Sequence, residues 1–224
     1  STSPSQIYDA LSYSDLDFGE IKNENGDVVE LTTGRYSVFM ESTDRRVRKD
    51  AYDNLYEEYI KYKNTMASVL SSSIKANIFT MNVRGFDSVR HMYMFANNIP
   101  ESVYDSLIES VKARKDLLHR YVSLRKKVLG VDDFYAYDMH VPLIPDVNLK
   151  VSYSQAPEIV TSALNILGEE YVSSLKTAIE NRWIDPVENQ GKNSGAYACS
   201  VYGVLPYVLM NWQDDIRSVS TLAH

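Results

Sequence analysis

Residues 44–85 read DRRVRKDAYDNLYEEYIKYKNTMASVLSSSIKANIFTMNVRG, with no proline in the stretch and no glycine before Gly85. Apolar side chains recur there at steps of three or four residues, the spacing that places them on one face of an α-helix. They are Val47, Ala51, Leu55, Tyr59, Tyr62, Met66, Leu70 and Ile74. The stretch predicts one long helix with a continuous apolar stripe, capped by the hydroxyls and carboxylates of residues 41–44.

Further helices are predicted after this stretch. Asp87 caps a short one at residues 88–96, and Pro100 begins another that ends at Gly130. The apolar residues of that second helix are Val103, Leu107, Val111, Leu118, Tyr121 and Val128. Residues 131–149 are predicted to form a loop. Pro157 then begins one helix, and Gly168 separates it from the next.

Two places predict β structure. Asn25-Gly26 lies between short β-prone runs, and this pair suits both central positions of a type I′ hairpin turn. Near the end of the chain, a flexible loop at residues 191–195 precedes two extended segments at 196–202 and 207–210. The fold class is therefore mainly α, with a small β element before the last helix.

Asp214 and Asp215 begin that last helix, and Ile216, Val219, Leu222 and Ala223 are predicted to form its buried side. No glycine or polar cap ends it, and His224 is the last residue. We therefore expect the chain to be the front portion of a longer protein, although proteolysis and deliberate truncation are both open as the cause.

Composition excludes several classes of protein. The chain of 224 residues carries a net charge of -7, so it has no general electrostatic attraction to nucleic acid or to anionic membranes. No signal peptide and no membrane-spanning apolar run are found. Cys199 is the only cysteine, which excludes an intrachain disulfide and favours a reducing cytoplasm. Its apolar surroundings predict a buried, inert thiol.

Few residues have the spacing of a catalytic motif. The sequence contains no phosphate-binding loop, dinucleotide fingerprint, serine nucleophile elbow or cysteine cluster. His91 and His119 fall on predicted helices as packed or surface residues, and His140 lies in a loop to which we assign a structural role. His224 differs, because an amphipathic helix that follows an edge strand is one way to build a zinc peptidase site.

Three segments at residues 191–197, 207–214 and 219–224 strongly resemble the bacterial oligoendopeptidase F family, which are thimet-oligopeptidase-like zinc endopeptidases. The segments read GKNSGAY, YVLMNWQD and VSTLAH. Weaker resemblance at residues 34–36, 41–48 and 137–143 extends the similarity over about residues 16–224.

The resemblance implies a role for His224. In that family the segment continues as Ala-His-Glu-x-Gly-His, so His224 corresponds to the first histidine of H-E-x-x-H and is the expected zinc ligand. The general base, the second histidine and a ligating glutamate would all follow His224, so no catalytic residue is assigned within the 224 residues. We therefore expect the isolated chain to bind zinc weakly, if at all, and to be inactive.

The resemblance also implies a substrate site and an architecture. The strand beginning at Gly195 is expected to pair with the substrate backbone through Gly195, Ala196, Tyr197, Ala198 and Cys199, although a purely structural hairpin is the competing interpretation. Residues 1–80 are expected to form an N-terminal region, and residues 81–224 the first part of a peptidase catalytic domain. Together they would form the helical lobe of a zincin-type oligopeptidase over a channel for short peptides in the bacterial cytoplasm.

A different class stays open: a helical interaction or scaffold domain without catalysis, in which His224 is incidental. For either class we expect the chain to bind the missing C-terminal part of the same protein or to self-associate, because apolar faces normally require a partner.

Overall fold

The computed structural model describes residues 3–144, 149–189 and 191–224, and helices dominate these ranges. The helices are α1 (Ser3–Ala10), α2 (Thr33–Met40), α3 (Arg45–Lys61), α4 (Lys63–Val83), α5 (Val89–Phe95), α6 (Glu101–Lys112), α7 (Lys115–Leu129), α8 (Ala156–Leu164), α9 (Glu169–Glu180) and α10 (Ile216–Ala223). The strands are β1 (Glu20–Lys22), β2 (Val28–Glu30), β3 (Ile184–Asp185), β4 (Tyr197–Cys199) and β5 (Tyr207–Leu209). The predicted fold class, mainly α with a small β element before the last helix, is confirmed.

The chain forms two compact units, each built from two separate stretches of sequence. The first comprises Ser1–Asp17 and Asp53–Leu143, and the second Phe18–Tyr52 and Ile144–His224. Both sheets and every expected site residue belong to the second unit. The functional division into residues 1–80 and 81–224 stays a prediction. In the described part of the chain, no helix is both long and apolar enough to span a bilayer.

Two of the predicted long helices are interrupted. The first divides at Tyr62, whose amide donates to Tyr59 three residues back instead of four. The second divides at Arg114, which bonds in the same way to Val111. Each local switch to i→i−3 bonding breaks the α-helical ladder without a glycine or proline, so the sequence pattern carried no signal for it.

The N-terminal hairpin is confirmed, but its predicted turn type is wrong. Strands β1 and β2 pair antiparallel with Lys22 opposite Val28, so the loop has five residues. The Asn23 side-chain oxygen accepts hydrogen bonds from the amides of Asn25 and Asp27, both at 2.9 Å. Of the turn pair, only Gly26 has a positive φ (+88°), because the Asn23 side chain organises the loop instead of a two-residue turn.

Helix ends largely follow the predicted signals. Gly130 ends α7 in the left-handed conformation (φ +64°), and Pro157 lies in the first turn of α8. Gly168 separates α8 from α9 as expected. The cap of α5 is Ser88 and not Asp87, because the Ser88 hydroxyl accepts the amide hydrogen bond of His91 at 2.9 Å.

Apolar stripes do not all become core. Val47 and Ala51 of α3 have no exposed surface, whereas Leu70 of α4 is 63% exposed. Every apolar residue predicted for the helix after Pro100 is also exposed. These residues, here called the α6/α7 apolar surface, are Val103, Leu107 and Val111 of α6 and Leu118, Tyr121 and Val128 of α7. Helical periodicity identifies the apolar face, but burial requires a partner for that face.

A small core in the second unit anchors the last helix. Val151, Ala156, Val160 and Val219 are buried together, and Leu222, Ala223 and Trp212 are among the residues packed against them. The Trp212 indole donates to the carbonyl of Val151 at 3.2 Å. This core connects α10 to α8 and so fixes the helix that carries His224.

Candidate functional site

Strand β4 lies at the edge of a three-stranded sheet with the order β3-β5-β4. Strand β5 runs parallel to β3 and antiparallel to β4, with Tyr197 opposite Leu209 and Cys199 opposite Tyr207. One edge of β4 is therefore occupied by β5. The other edge has no strand beside it among the residues that the structure describes.

The direction of the β5 amides shows which groups of β4 face that free edge. The amides of Val208 and Met210 donate to β3 and its flank, to Trp183 at 2.8 Å and to Asp185 at 2.9 Å. Successive residues of a strand point their backbone groups to opposite sides.

Tyr207 and Leu209 therefore face β4 and pair with Cys199 and Tyr197. Ala198, between them, directs its amide and carbonyl away from β5. An extended peptide added at this edge would meet the Ala198 backbone groups first.

All five residues expected to bind substrate, Gly195 to Cys199, are exposed. Tyr197 is 51% exposed, and Gly195 has a positive φ of +87°. The expectation that Cys199 is a buried thiol is wrong, because its side chain is exposed. Apolar neighbours in sequence did not predict burial here, since β4 is an edge strand with only one neighbouring strand.

Side chains hold the loop that precedes β4. The Lys192 ammonium group, on a side chain only 8% exposed, donates to the carbonyls of Asp185 (3.0 Å) and Val187 (2.6 Å) and pairs with the Asp185 carboxylate at 3.1 Å. The Asn211 side-chain amide donates to the carbonyls of Asn193 and Gly195, both at 2.9 Å.

Glu188 connects the same loop to α2. Its carboxylate accepts a hydrogen bond from the Thr32 hydroxyl at 2.7 Å and a longer one from the Gln213 amide at 3.5 Å. Gly34 permits this approach, because a Cβ there would lie 2.6 Å from Glu188 Oε1. Sequence reasoning assigned no role to Glu188, Lys192 or Asn211, since polar residues in a loop carry no periodic signal.

Helix α10 begins as the sequence predicts. The Asp215 carboxylate accepts the Ser218 amide hydrogen bond at 2.7 Å, and the Ser218 hydroxyl accepts from the Gln213 amide at 3.2 Å. Arg217 pairs with Glu41 at the C-terminal end of α2. Val219 is 5% exposed, as expected, but Ile216 is 51% exposed, so its predicted place on the buried side is wrong.

His224 follows the last turn of α10 and its backbone amide bonds to the carbonyl of Ser220 at 3.1 Å. The residue is exposed, and an imidazole nitrogen can supply one ligand to a metal ion. Within residues 3–144, 149–189 and 191–224, no three His, Cys, Asp or Glu side chains come together as a metal site. The chemistry of His224 fits zinc, but these residues do not form a complete ligand set.

The other histidines have surroundings that fit packed or surface roles. His91 lies edge-on to Phe86 and Phe95, with ring centroids 5.4 and 6.3 Å away, and its Nδ1 is 3.7 Å from the Asp87 carboxylate. His119 and His140 are exposed.

A cavity of about 460 Å³ opens beside the start of β4. Gly195 and Ala196 line it together with Thr33 of α2 and Thr221 of α10. Most of the remaining lining residues carry a hydroxyl or a side-chain amide, and two are charged, Asp215 and Arg217. A larger groove of about 620 Å³ between α8 and α9 contacts none of the predicted site residues. The cavity beside β4 therefore belongs to the same region as the candidate strand.

Tyr153, which lies near this region, has a pKa above the ordinary value of a tyrosine. Partial burial raises the pKa of its phenol, and its ring lies edge-on to Trp212 with centroids 5.4 Å apart. Tyr153 therefore stays neutral at physiological pH and packs against Trp212, which contacts the core of the second unit.

Comparison with known proteins identifies relatives. The sequence model of peptidase family M3 matches residues 38–224 of this chain. The oligopeptidase PepF of Bacillus subtilis (strain 168) is 43% identical over 222 residues, which are 99% of this chain and 33% of that protein. The chromosomal oligoendopeptidase F of Lactococcus lactis subsp. cremoris is 41% identical over 211 residues, which are 94% of this chain and 35% of that protein.

Solved structures agree with these matches. The crystal structure of oligoendopeptidase-F from Enterococcus faecium is 38% identical, has a TM-score of 0.61, and is matched over 81% of this chain and 33% of its own. PZ peptidase A with an inhibitor is 17% identical with a TM-score of 0.79 over 98% of this chain and 39% of its own, which shows a shared fold alone. The chain spans about a third of the length of the curated relatives above.

Proposed function

Because this chain belongs to peptidase family M3, we propose that it forms part of a zinc-dependent oligopeptidase, to which it contributes the substrate-pairing strand β4 and the zinc ligand His224. The free edge of β4 carries the proposal: the outward amide and carbonyl of Ala198 can pair with any extended peptide backbone.

The proposed substrates are short, unfolded peptides. Backbone pairing along β4 requires an extended chain, and it recognises peptide groups regardless of the side chains that flank them. Relatives are named oligopeptidase or oligoendopeptidase, which supports this substrate class. With Cys199 as the only cysteine, we place the activity in a reducing cytoplasm.

His224 is the proposed metal ligand within this chain. Zinc, when bound, supplies Lewis-acid activation of water and of the scissile carbonyl. The role of α10 is to orient the imidazole, and the Asp215 cap and the buried Val219 hold that helix in place. We propose that the general base and the other ligands are not among these 224 residues, so the isolated chain is expected to be inactive.

Ala198→Pro tests the role of the strand in the complete protein encoded by the gene. Proline removes the outward amide, and an edge strand tolerates it where that amide makes no ladder bond. We expect KM for peptides to rise about tenfold with kcat nearly unchanged, because uniform backbone binding is lost. Ala198→Val keeps the amide and is the control. Equal KM values for the two variants would refute backbone pairing at this position.

His224→Ala tests the metal site in the same complete protein. We expect zinc content, measured by mass spectrometry, to fall from about one ion per chain to nearly none, since a site with three protein ligands loses one of them. His119→Ala removes an exposed histidine of α7 and is the control. Full zinc occupancy in His224→Ala would exclude His224 as a ligand.

The competing function, a helical interaction domain without catalysis, is favoured by the exposed α6/α7 apolar surface. It predicts a complete protein that neither binds zinc nor hydrolyses peptides. The two experiments above therefore also separate these two functions.

A further inference from the structure

A side-chain interaction holds the loop that leads into β4. It lies just beyond the last backbone pair between β4 and β5. In the β4–β5 register, Tyr197 lies opposite Leu209, so Gly195 lies opposite Asn211 two residues further along. Gly195 has a φ of +87°, which takes the backbone out of the extended conformation that a ladder requires. The ordinary backbone pairing therefore ends before this position.

The Asn211 side chain replaces the missing pairing. Its amide nitrogen donates to the Gly195 carbonyl and to the Asn193 carbonyl, each at 2.9 Å. Both hydrogens of the amide are thereby used, and one side chain holds two carbonyls of the incoming loop. If serine replaced Asn211, its shorter side chain would offer a single donor, and the carboxylate of an aspartate would offer none.

Other contacts of this loop lie further from β4. Lys192 holds the carbonyls of Asp185 and Val187, and Glu188 holds the loop to Thr32. These contacts fix the first half of the loop. Asn211 is the side chain that fixes its last residues, immediately before the strand.

We propose that Asn211 is a positioning residue for peptide substrates: it sets the outward-facing backbone of Ala198 by fixing the chain at Gly195. The inference rests on the proposed function, in which β4 pairs with substrate. Loss of the two hydrogen bonds leaves β4 attached to β5 only through its short ladder. The strand edge then samples more conformations, and a peptide must order it on binding.

The test compares Asn211→Ser and Asn211→Asp with Asn189→Asp. Asn189 lies in the same loop, and within the described part of the chain its side chain makes one long hydrogen bond, of 3.3 Å to the Val187 carbonyl, so its variant controls for the added charge. Asn211→Ser adds no charge and removes both bonds, because its hydroxyl oxygen lies one bond short of the position of the lost amide nitrogen. Asn211→Asp places a carboxylate against two carbonyl oxygens and is expected to have the larger effect.

Hydrogen exchange in the complete protein is measured first. We expect the ladder amides of Tyr197 and Cys199 to exchange about 30-fold faster in Asn211→Ser than in the wild type, the factor that two ordinary hydrogen bonds represent. Asn189→Asp should leave both rates unchanged. Unchanged exchange in Asn211→Ser would overturn the proposal, because the strand would not depend on Asn211.

Peptide hydrolysis by the complete protein is measured second. We expect KM to rise about tenfold in Asn211→Ser with kcat within about twofold of the wild type, since position and not chemistry is affected. Faster exchange with an unchanged KM overturns the positioning role. If Ala198→Pro raises KM and Asn211→Ser does not, this inference alone fails. If neither raises KM, backbone pairing at β4 fails and the inference with it.

Discussion

Arg125 of α7 is a buried cation whose replacement we expect to destabilise the loop that follows the helix. The residue is 4% exposed, and its guanidinium donates to the carbonyls of Asp138 (3.0 Å) and Val141 (2.5 Å). A further bond of 3.1 Å reaches the Tyr121 hydroxyl. The loop residues Asp138 and Val141 are themselves 0% and 3% exposed, so water cannot easily replace the arginine.

The magnitude follows from the two carbonyls. Arg125→Met leaves both carbonyls without this donor, which lowers the free energy of unfolding by about 1–3 kcal/mol for each buried carbonyl. Part of that loss is offset, because methionine does not bury a charge. The arginine also buries its Nε, which has no hydrogen-bond partner among the described residues. We expect a net loss of about 3 kcal/mol. Arg125→Lys keeps one donor group without the planar fork and should lose roughly half as much.

Urea denaturation followed by circular dichroism measures the effect. With a typical slope of about 1–3 kcal/mol per molar urea, a loss of about 3 kcal/mol should lower the midpoint by roughly 1–3 M. Hydrogen exchange should also accelerate at the Asp138 and Met139 amides, which bond within the loop.

Arg120→Met, an exposed position on the same helix, is the control and should change stability by no more than about 0.5 kcal/mol. If Arg125→Met behaves like this control in both measurements, the argument from buried carbonyls is refuted.

Three further predictions concern other elements. The hydrogen bond from Arg90 lowers the pKa of Glu101. The ionised Glu101 therefore stabilises the fold above the ordinary pKa of a glutamate, and this stabilisation is lost as the pH falls through the lowered pKa. The wild type should lose more stability than Glu101→Gln between about pH 6 and pH 3, and parallel curves of stability against pH would contradict this. Asp215→Ala should cost about 1 kcal/mol in urea unfolding followed by tryptophan fluorescence, and Asp215→Asn much less, because asparagine also caps helices. Sedimentation velocity should detect concentration-dependent self-association of the isolated chain, which Leu107→Lys on the α6/α7 apolar surface should weaken; a monomer at all concentrations would exclude it.

Local signals in the sequence predicted local structure well. Gly130 and Asp215 cap their helices as expected, and α8 and α9 are divided at Gly168. These features depend on a few neighbouring residues, so the sequence contains the whole physical cause. The interruptions at Tyr62 and Arg114 escaped prediction, because neither is marked by a helix-breaking residue.

The candidate site was only partly predictable. The residues of β4 were named from the sequence, but its place at the sheet edge depends on β3, a two-residue strand with no sequence signal of its own. Exposure of Cys199 and Ile216 was mispredicted for the same reason, since apolar character does not show whether another element covers a residue. Asn211 and Glu188 were missed because their partners lie 16 to 156 residues away.

The sequence by itself therefore determined the mainly helical class, the resemblance to oligoendopeptidase F and the residues of the candidate strand. Each of these depends on composition, periodicity or contiguous motifs. Tertiary structure decided which apolar faces are buried, that Ala198 directs its backbone away from β5, and that Asn211 holds Gly195. These outcomes arise from hydrogen bonds and packing between residues distant in the chain, and no local pattern records which distant groups will meet.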